Sequence, residues 1–170
     1  IIKLVKELMD LARADASKEN INKTSEDLNE IIKEVIGPYI EMSEMQNKKV
    51  SLKLDCTKEC NVDRSKIKQL LVILMDNAIK YTEENDEIMI CTRNRDDKCF
   101  IEVKDTGIGI SDEAMKHIFE RFYREDKARS REKGGSGLGL SIAKTIVNKH
   151  GGSIKVTHNK PKGTIFIIKL

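Results

Sequence analysis

The chain has 170 residues, 39% of them hydrophobic and 35% charged, with a formal net charge of +3. That length buries one core, or one core with an appended helix, and so even a charge balance does not select nucleic acid as a partner. No apolar run is long enough to span a bilayer, no signal peptide opens the chain, and aromatics are not interleaved with basic clusters as single-strand nucleic-acid binders require.

In chain order, Ile1, Leu4, Val5, Leu8, Met9, Leu11 and Ala12 make residues 1–14 a short amphipathic helix whose apolar face needs a partner. Residues 14–23 are polar and read as a linker. From Thr24 the spacing predicts a second helix, with Thr24 or Ser25 as N-cap and Leu28, Ile31, Ile32, Val35, Ile36, Tyr39 and Ile40 as its buried side. Gly37 and Pro38 predict a kink or break in it, because proline lacks a backbone donor and clashes one turn back, although apolar spacing resumes through Met45. A strand is expected over residues 50–55.

Helical periodicity returns over residues 63–82, with Ile67, Leu70, Leu71, Leu74, Met75 and Ala78 on the apolar face and Ile73, Asn77, Lys80 and Glu84 along its flank. An amide, an ammonium and a carboxylate on one edge suit a Mg²⁺-bound triphosphate: Asn77 offers a neutral oxygen to a hard cation and Lys80 a mobile point charge to phosphate. The same residues also fit the half-exposed rim of an ordinary core helix. Strands are expected at 87–93 and 98–104, the second running into the sequence DTGIGI at 105–110. There Asp105 either caps the backbone of a tight turn or, in an apolar pocket, accepts a hydrogen bond from an exocyclic amine and so separates adenine from guanine. Cys56, Cys60, Cys91 and Cys99 lack a metal-binding spacing and read as reduced thiols rather than a zinc site or disulfide framework.

Residues 123–134 are rich in charge and lack buried periodicity, which reads as a mobile lid or a solvated loop, with Phe119 and Phe122 as its anchors in the core. The segment GGSGLGLSIAKTIVNKHGG at 134–152 opens from glycines into an amphipathic helix, so its backbone amides can hold a phosphate chain at the positive end of the peptide dipoles. Strands at 153–159 and 164–170 close the chain.

Four stretches in this order, QLLVILMDNAIKYT at 69–82, DTGIGI at 105–110, IFERFYR at 118–124 and GSGLGLSIAK at 135–144, resemble the asparagine, first glycine, phenylalanine and second glycine boxes of bacterial sensor histidine kinases of the GHKL superfamily. The resemblance implies a two-layer α/β sandwich, a mixed sheet with helices on one face, preceded by a short helix from the dimerisation hairpin. It divides the chain into the end of the second phosphoacceptor-hairpin helix (residues 1–15), a linker (16–23) and a catalytic ATP-binding domain (24–170). ATP and Mg²⁺ are the implied cofactors. Asp105 would recognise adenine, Gly107 and Gly109 would shape the base pocket, and Tyr81 and Ile110 would line it. Asn77 would hold Mg²⁺, and Lys80, Tyr123, Arg124, Gly135 and the backbone of Ser136, Gly137, Leu138, Gly139 and Leu140 would contact ribose or phosphates, with Thr164 at the pocket floor. Asn77, Lys80 and Arg124 would be the catalytic set.

The implied reaction is in-line transfer of the γ-phosphoryl group to a histidine on a helix hairpin outside this chain, since His117, His150 and His158 all lie outside the acceptor motif. Its partners would be that hairpin and, through the parent protein, a response regulator, without nucleic acid or direct membrane contact. The chain would be a cytoplasmic, monomeric piece of a parent that can be membrane-anchored. Many relatives carry a second asparagine where this chain has Ile73, and related ATPases carry a glutamate there as general base; isoleucine takes no proton, which disfavours hydrolysis by that route. The alternatives are a non-catalytic nucleotide-dependent interaction module, an ATPase of the same superfamily, and a seryl kinase.

Overall fold

The computed structural model describes residues 21–125 and 136–170. The expected first helix, most of the linker, Gly135 and the centre of the expected lid lie outside the described residues. In chain order the elements are β1 (Thr24–Glu26), α1 (Leu28–Met45), β2 (Lys49–Leu54), β3 (Cys60–Val62), α2 (Arg64–Tyr81), β4 (Glu87–Arg95), β5 (Lys98–Asp105), α3 (Asp112–His117), α4 (Gly139–Lys149), β6 (Ser153–His158) and β7 (Thr164–Lys169).

A five-stranded sheet runs in the order β2-β4-β5-β7-β6. β2 pairs with β4 in parallel and every other neighbour is antiparallel, so the sheet is mixed. Period-2 alternation sends Ile88 and Ile90 of β4, Ile101 and Val103 of β5, and Phe166 and Ile168 of β7 into one core with the apolar stripes of α1, α2 and α4. α2 is the central helix: it packs on both α1 and α4, and its Ile67, Leu70, Leu71, Leu74 and Met75 are fully buried. Burying each such side chain contributes roughly 1.5–3 kcal/mol. On the opposite face of the sheet, Glu102 lies between Arg93 and Lys104, at 3.0 and 2.9 Å, and the Arg93 guanidinium stacks 4.4 Å from the Phe100 ring centre. The two-layer α/β arrangement is the one the sequence implies.

Several local expectations are corrected. Thr24 and Ser25 do not cap the helix: Thr24–Glu26 pairs with Cys60–Val62 as a two-stranded antiparallel ribbon, and Asp27 is the N-cap, its carboxylate accepting from Asn29 N–H at 2.8 Å. Two three-residue strands carry too little periodicity to be seen in sequence. Nor does α1 break at Gly37 and Pro38, since the helix runs through both. Ile31, Ile32 and Ile36 before the proline and Ser43 after it are all buried, so both halves are held by the same core. Glu84 does not extend the α2 flank; the helix ends at Tyr81, and the Glu84 carboxylate accepts from Asn47 Nδ2 at 2.8 Å.

Cys60 and Cys99 are joined by a disulfide with a Cα–Cα distance of 6.7 Å, contrary to the reading of four reduced thiols, while Cys56 and Cys91 are free and buried. The sequence separation of 39 gives no cue to this pair; the bond joins β3 of the two-stranded ribbon to β5 of the five-stranded sheet. Among the described residues no helix is long and apolar enough to cross a membrane.

Candidate active site

The site forms where the C-terminal ends of α2 and β5 meet. Asp105 ends β5 and is 5% exposed. Its Oδ1 accepts from the backbone N–H of Gly107 at 2.9 Å and of Thr164 at 3.2 Å, while no hydrogen bond from the described residues engages Oδ2. One carboxylate oxygen therefore caps the turn and the other is left as an acceptor. The capping reading of Asp105 is the one its hydrogen bonds display.

The turn after Asp105 is pressed against the helix end. Ile108 N–H donates to Tyr81 O at 3.0 Å, and a Cβ on Gly107 would stand 2.2 Å from that same carbonyl. Only glycine allows this approach. It sets Tyr81, at the C-terminal end of α2, against the Asp105 turn, with Lys80 on the same last turn of that helix and Asn77 one turn back. The Lys80 ammonium lies 4.9 Å from the Tyr81 ring centre, and the half-buried Asn77 amide has no hydrogen-bond partner among the described residues.

A third wall comes from the β6–β7 turn. Asn159 Nδ2 donates to Asp105 O at 2.8 Å, and Asn159 N–H donates to Gly163 O at 3.0 Å. A Cβ on Gly163, whose φ is +109°, would stand 1.9 Å from Asp105 O. Thr164 then follows, buried, with its N–H on Asp105. Asp86 braces the same turn by accepting from Thr106 Oγ1 at 2.9 Å and from Lys162 Nζ at 3.3 Å. Asn159, Gly163, Asp86 and Lys162 were not singled out in sequence. A Pro–Lys–Gly run at 161–163 signals a turn there, but nothing local says that the turn seats on Asp105.

The phenylalanine and second glycine boxes meet next. Phe122 N–H donates to Gly137 O at 2.9 Å, which brings Tyr123 and Arg124 to the start of α4. That start is uncapped by any side chain, and the first helical bond from Ile142 to Leu138 leaves the Gly139, Leu140 and Ser141 amides at its open end. Ser136 Oγ accepts from Leu138 N–H at 3.2 Å, and the Leu138 side chain is fully buried. Arg124 Nη2 is buried without a hydrogen-bond partner among the described residues. A buried guanidinium N–H without a partner among the described residues, on the segment bonded to the loop before α4, fits an anionic ligand. Phe119 packs edge-on against Phe166 with ring centres 6.3 Å apart, as expected of a core anchor. Phe122 does not: it is 58% exposed, at a φ of +63° imposed by its turn against Gly137.

Of the remaining residues singled out in sequence, Ile110 is partly buried against the core, Gly109 lies next to Gly163, and the Tyr123 ring stands 5.5 Å from that of His117. Ile73 is half-buried on α2 and faces Gly139, so the position of the absent carboxylate is adjacent to the α4 start. His117 and His158 pair with Glu120 and Asp112, both at 2.8 Å, and His150 receives the Asp63 N–H at 3.0 Å.

Burial pushes the Asp105 carboxyl above its ordinary value, against the downward pull of the Gly107 and Thr164 N–H groups. Asp86 shows the reverse balance: burial pushes it up, but hydrogen bonds from Glu83 N–H, Thr106 and Lys162 hold it below the usual range. Since an ionised Asp105 is the stronger acceptor for an exocyclic amine, ATP affinity is expected to weaken as pH falls through its raised value, ahead of ordinary surface carboxylates. The stability effect has the opposite sign: a raised carboxyl pKa means the folded state binds the extra proton, so this group favours the fold increasingly as pH falls through its folded value. Affinity titrations across this range check the first effect, with Asp105→Asn as the variant that lacks it.

This two-layer fold, with a buried carboxylate at a strand end against the last turn of α2 and an open helix N-terminus at α4, is that of a nucleotide-binding domain. Residues 62–170 match the family described as histidine kinase-, DNA gyrase B- and HSP90-like ATPases, and the chain belongs to that family. It is homologous to sensor histidine kinases. It is 56% identical over 108 residues to the sensor protein CiaH of Streptococcus pneumoniae, which takes in 64% of this chain and 24% of CiaH. It is 37% identical over 168 residues to the sensor protein SrrB of Staphylococcus aureus, 99% of this chain and 29% of SrrB. The chain thus spans less than a third of the length of these relatives. Among solved structures, the catalytic domain of histidine kinase ThkA superposes with a TM-score of 0.77 at 33% identity, covering 87% of this chain and 94% of that one. The ThkA structure in complex with response regulator protein TrrA gives a TM-score of 0.80 at 29% identity, covering 99% of this chain and 46% of that one.

Proposed function

We propose that this chain is the catalytic part of a two-component sensor histidine kinase, binding ATP and transferring its γ-phosphoryl group to a histidine on a helix hairpin. The observation that carries this reading is Asp105, with one oxygen fixed by the Gly107 and Thr164 amides and the other uncommitted. An ionised acceptor in a buried pocket selects the exocyclic amine of adenine and rejects the guanine carbonyl. Gly107, Gly109, Tyr81, Ile110 and Thr164 form the base pocket. Lys80, Tyr123, Arg124, Gly135 and the backbone of residues 136–140 hold ribose and phosphates. Asn77 fits Mg²⁺ through its neutral amide oxygen, and the ion, when bound, neutralises phosphate oxygens as charge develops.

Little covalent chemistry is asked of the protein in phosphoryl transfer; positioning and charge neutralisation supply most of the acceleration. Lys80 and Arg124 provide the charge, and the α4 amides orient the chain of phosphates. Isoleucine at position 73 supports transfer over hydrolysis, since no carboxylate stands there to activate water. We assign residues 1–15 to the end of the acceptor-hairpin helix, 16–23 to the linker and 24–170 to the catalytic domain. The parent's response regulator is the downstream partner, a reading supported by ThkA, which is seen with one. ATP dependence makes the domain cytoplasmic.

Arg124→Ala tests this directly. Removing the guanidinium assigned to the terminal phosphate is expected to slow phosphoryl transfer to a supplied acceptor hairpin by on the order of 100-fold or more. ATP affinity should change far less, because Asp105 and the base pocket are untouched. Rate measured under single-turnover conditions, beside calorimetric affinity, separates the two; an equal loss in both would make Arg124 a ground-state binding group only.

A further inference from the structure

At the end of the sheet opposite Asp105, three cysteines converge. Cys56, Cys60 and Cys99 are all buried, and Cys60 and Cys99 are bonded to one another. Asn94 Nδ2 donates to both Cys56 Sγ, at 3.3 Å, and Cys99 Sγ, at 3.5 Å, so the free thiol and one disulfide sulfur share a single amide. The Cys56 thiol donates to Lys58 O at 3.5 Å, and Cys99 Sγ lies 3.9 Å from that same oxygen. What covers the cluster is a short exposed loop, residues 57–59. Thr57 N–H holds it to Asn94 Oδ1 at 2.7 Å, and a surface ion pair ties Lys58 to Asp97.

We propose that Cys60 and Cys99 form a reversible thiol–disulfide site, served by Cys56 as the exchanging thiol and open to small dithiols and disulfides. The proposal rests on the ATP-dependent reading for one point only: a domain that uses ATP works in a reducing compartment, where a protein disulfide exchanges with the thiol pool instead of serving as a permanent staple. In the internal step the Cys56 thiolate attacks Cys99 Sγ, a Cys56–Cys99 bond forms, and Cys60 leaves as a thiolate that takes up a proton, matching the one Cys56 gave up. Full reduction consumes one external dithiol. Its two sulfurs become a disulfide, and the protein gains two electrons and two protons.

The position of the bond gives it a consequence. Cys60 belongs to β3, whose partner β1 follows the linker, with Glu26 opposite Cys60 in the register. Linker residue Asn22 donates its N–H to Asp63 Oδ2 at 3.1 Å, and Asp63 is the N-cap of α2, the helix that carries Asn77 and Lys80. The disulfide therefore adds a covalent tie from the ribbon that receives the linker to the central sheet, beside buried Val62 and the Arg64–Glu26 ion pair. Breaking it, or moving it to Cys56, removes one tie of that ribbon to the sheet and loosens it, while buried Val62 and the Asp63 cap keep α2 in place.

The test is equilibration of the native chain in oxidised or reduced dithiothreitol, acid quench, then unfolding with alkylation by N-ethylmaleimide so that buried thiols are counted, and intact-mass analysis. Two adducts are expected after oxidation, mapping to Cys56 and Cys91, and four after reduction, with the change reversible. Cys56→Ser should still oxidise but should lose the bond to the dithiol about tenfold more slowly. Amide exchange at residues 22–26 and 60–63 should speed up about tenfold or more on reduction. Four adducts after oxidation, or two after native reduction, would overturn the site, as would a Cys56→Ser variant that exchanges at the wild-type rate or ribbon amides indifferent to the redox state. No readout involves nucleotide, so failure here would leave the ATP reading intact.

Discussion

Asp105→Asn is expected to abolish selective ATP binding while leaving the domain folded. Asparagine can still accept from the Gly107 and Thr164 amides through one oxygen, at the positions where Asp105 Oδ1 receives them at 2.9 and 3.2 Å, so the turn keeps its cap. What changes is the other end: an NH₂ replaces the uncommitted Oδ2 and meets the adenine amine donor to donor. A charged hydrogen bond is lost and two donors are left facing each other in a buried pocket, a penalty on the order of 100-fold or more in affinity. Calorimetric titration of ATP, with GTP as control, reads the loss. Thermal unfolding of the same variant should show a midpoint at or above the wild type, because a buried carboxylate whose ionisation the fold opposes has been removed. A variant that binds ATP normally would return Asp105 to a purely capping role.

Gly163→Ala carries the largest expected effect on stability. The added Cβ would stand 1.9 Å from Asp105 O and 2.7 Å from Thr106 Cα, at a φ of +109° that L residues rarely adopt. Both obstacles are backbone, so no side chain can swing aside. Overpacking and backbone strain together are expected to cost about 3 kcal/mol of stability. Because the displaced strand end is Asp105 itself, ATP affinity should fall with it. Denaturant unfolding gives the first quantity and titration of the remaining folded protein the second. Gly139→Ala is the contrast: its Cβ would meet Ile73 Cγ2 at 3.4 Å, close to ordinary contact, and it should be tolerated.

Much of this architecture is legible in the residues themselves. The apolar stripe of α2, the strand that ends at Asp105 and the glycines that open α4 each follow from local spacing, and their order along the chain carries the family resemblance. What escaped reading is non-local or short. β1 and β3 have three residues each and exist because they pair with each other. Pro38 signals a break by its own chemistry, but a core that grips α1 on both sides overrides it. The Cys60–Cys99 bond joins two different sheets, and spacing in sequence says nothing about that approach. The same holds in the site: Asp105 stands in a recognisable turn, whereas Asn159 and Gly163, more than fifty residues further on, reach it only through the β5–β7 pairing.

The measurement that bears most directly on the central claim is incubation of this chain with γ-labelled ATP, Mg²⁺ and a separately supplied acceptor hairpin, followed by acid and alkali treatment of the labelled protein. Acid-labile, alkali-stable label on the hairpin histidine, dependent on Asp105 and accompanied by little free phosphate when the hairpin is omitted, is the predicted result. Steady phosphate release without an acceptor, or acid-stable label, would contradict it and make the domain an ATPase or a hydroxyl-directed kinase.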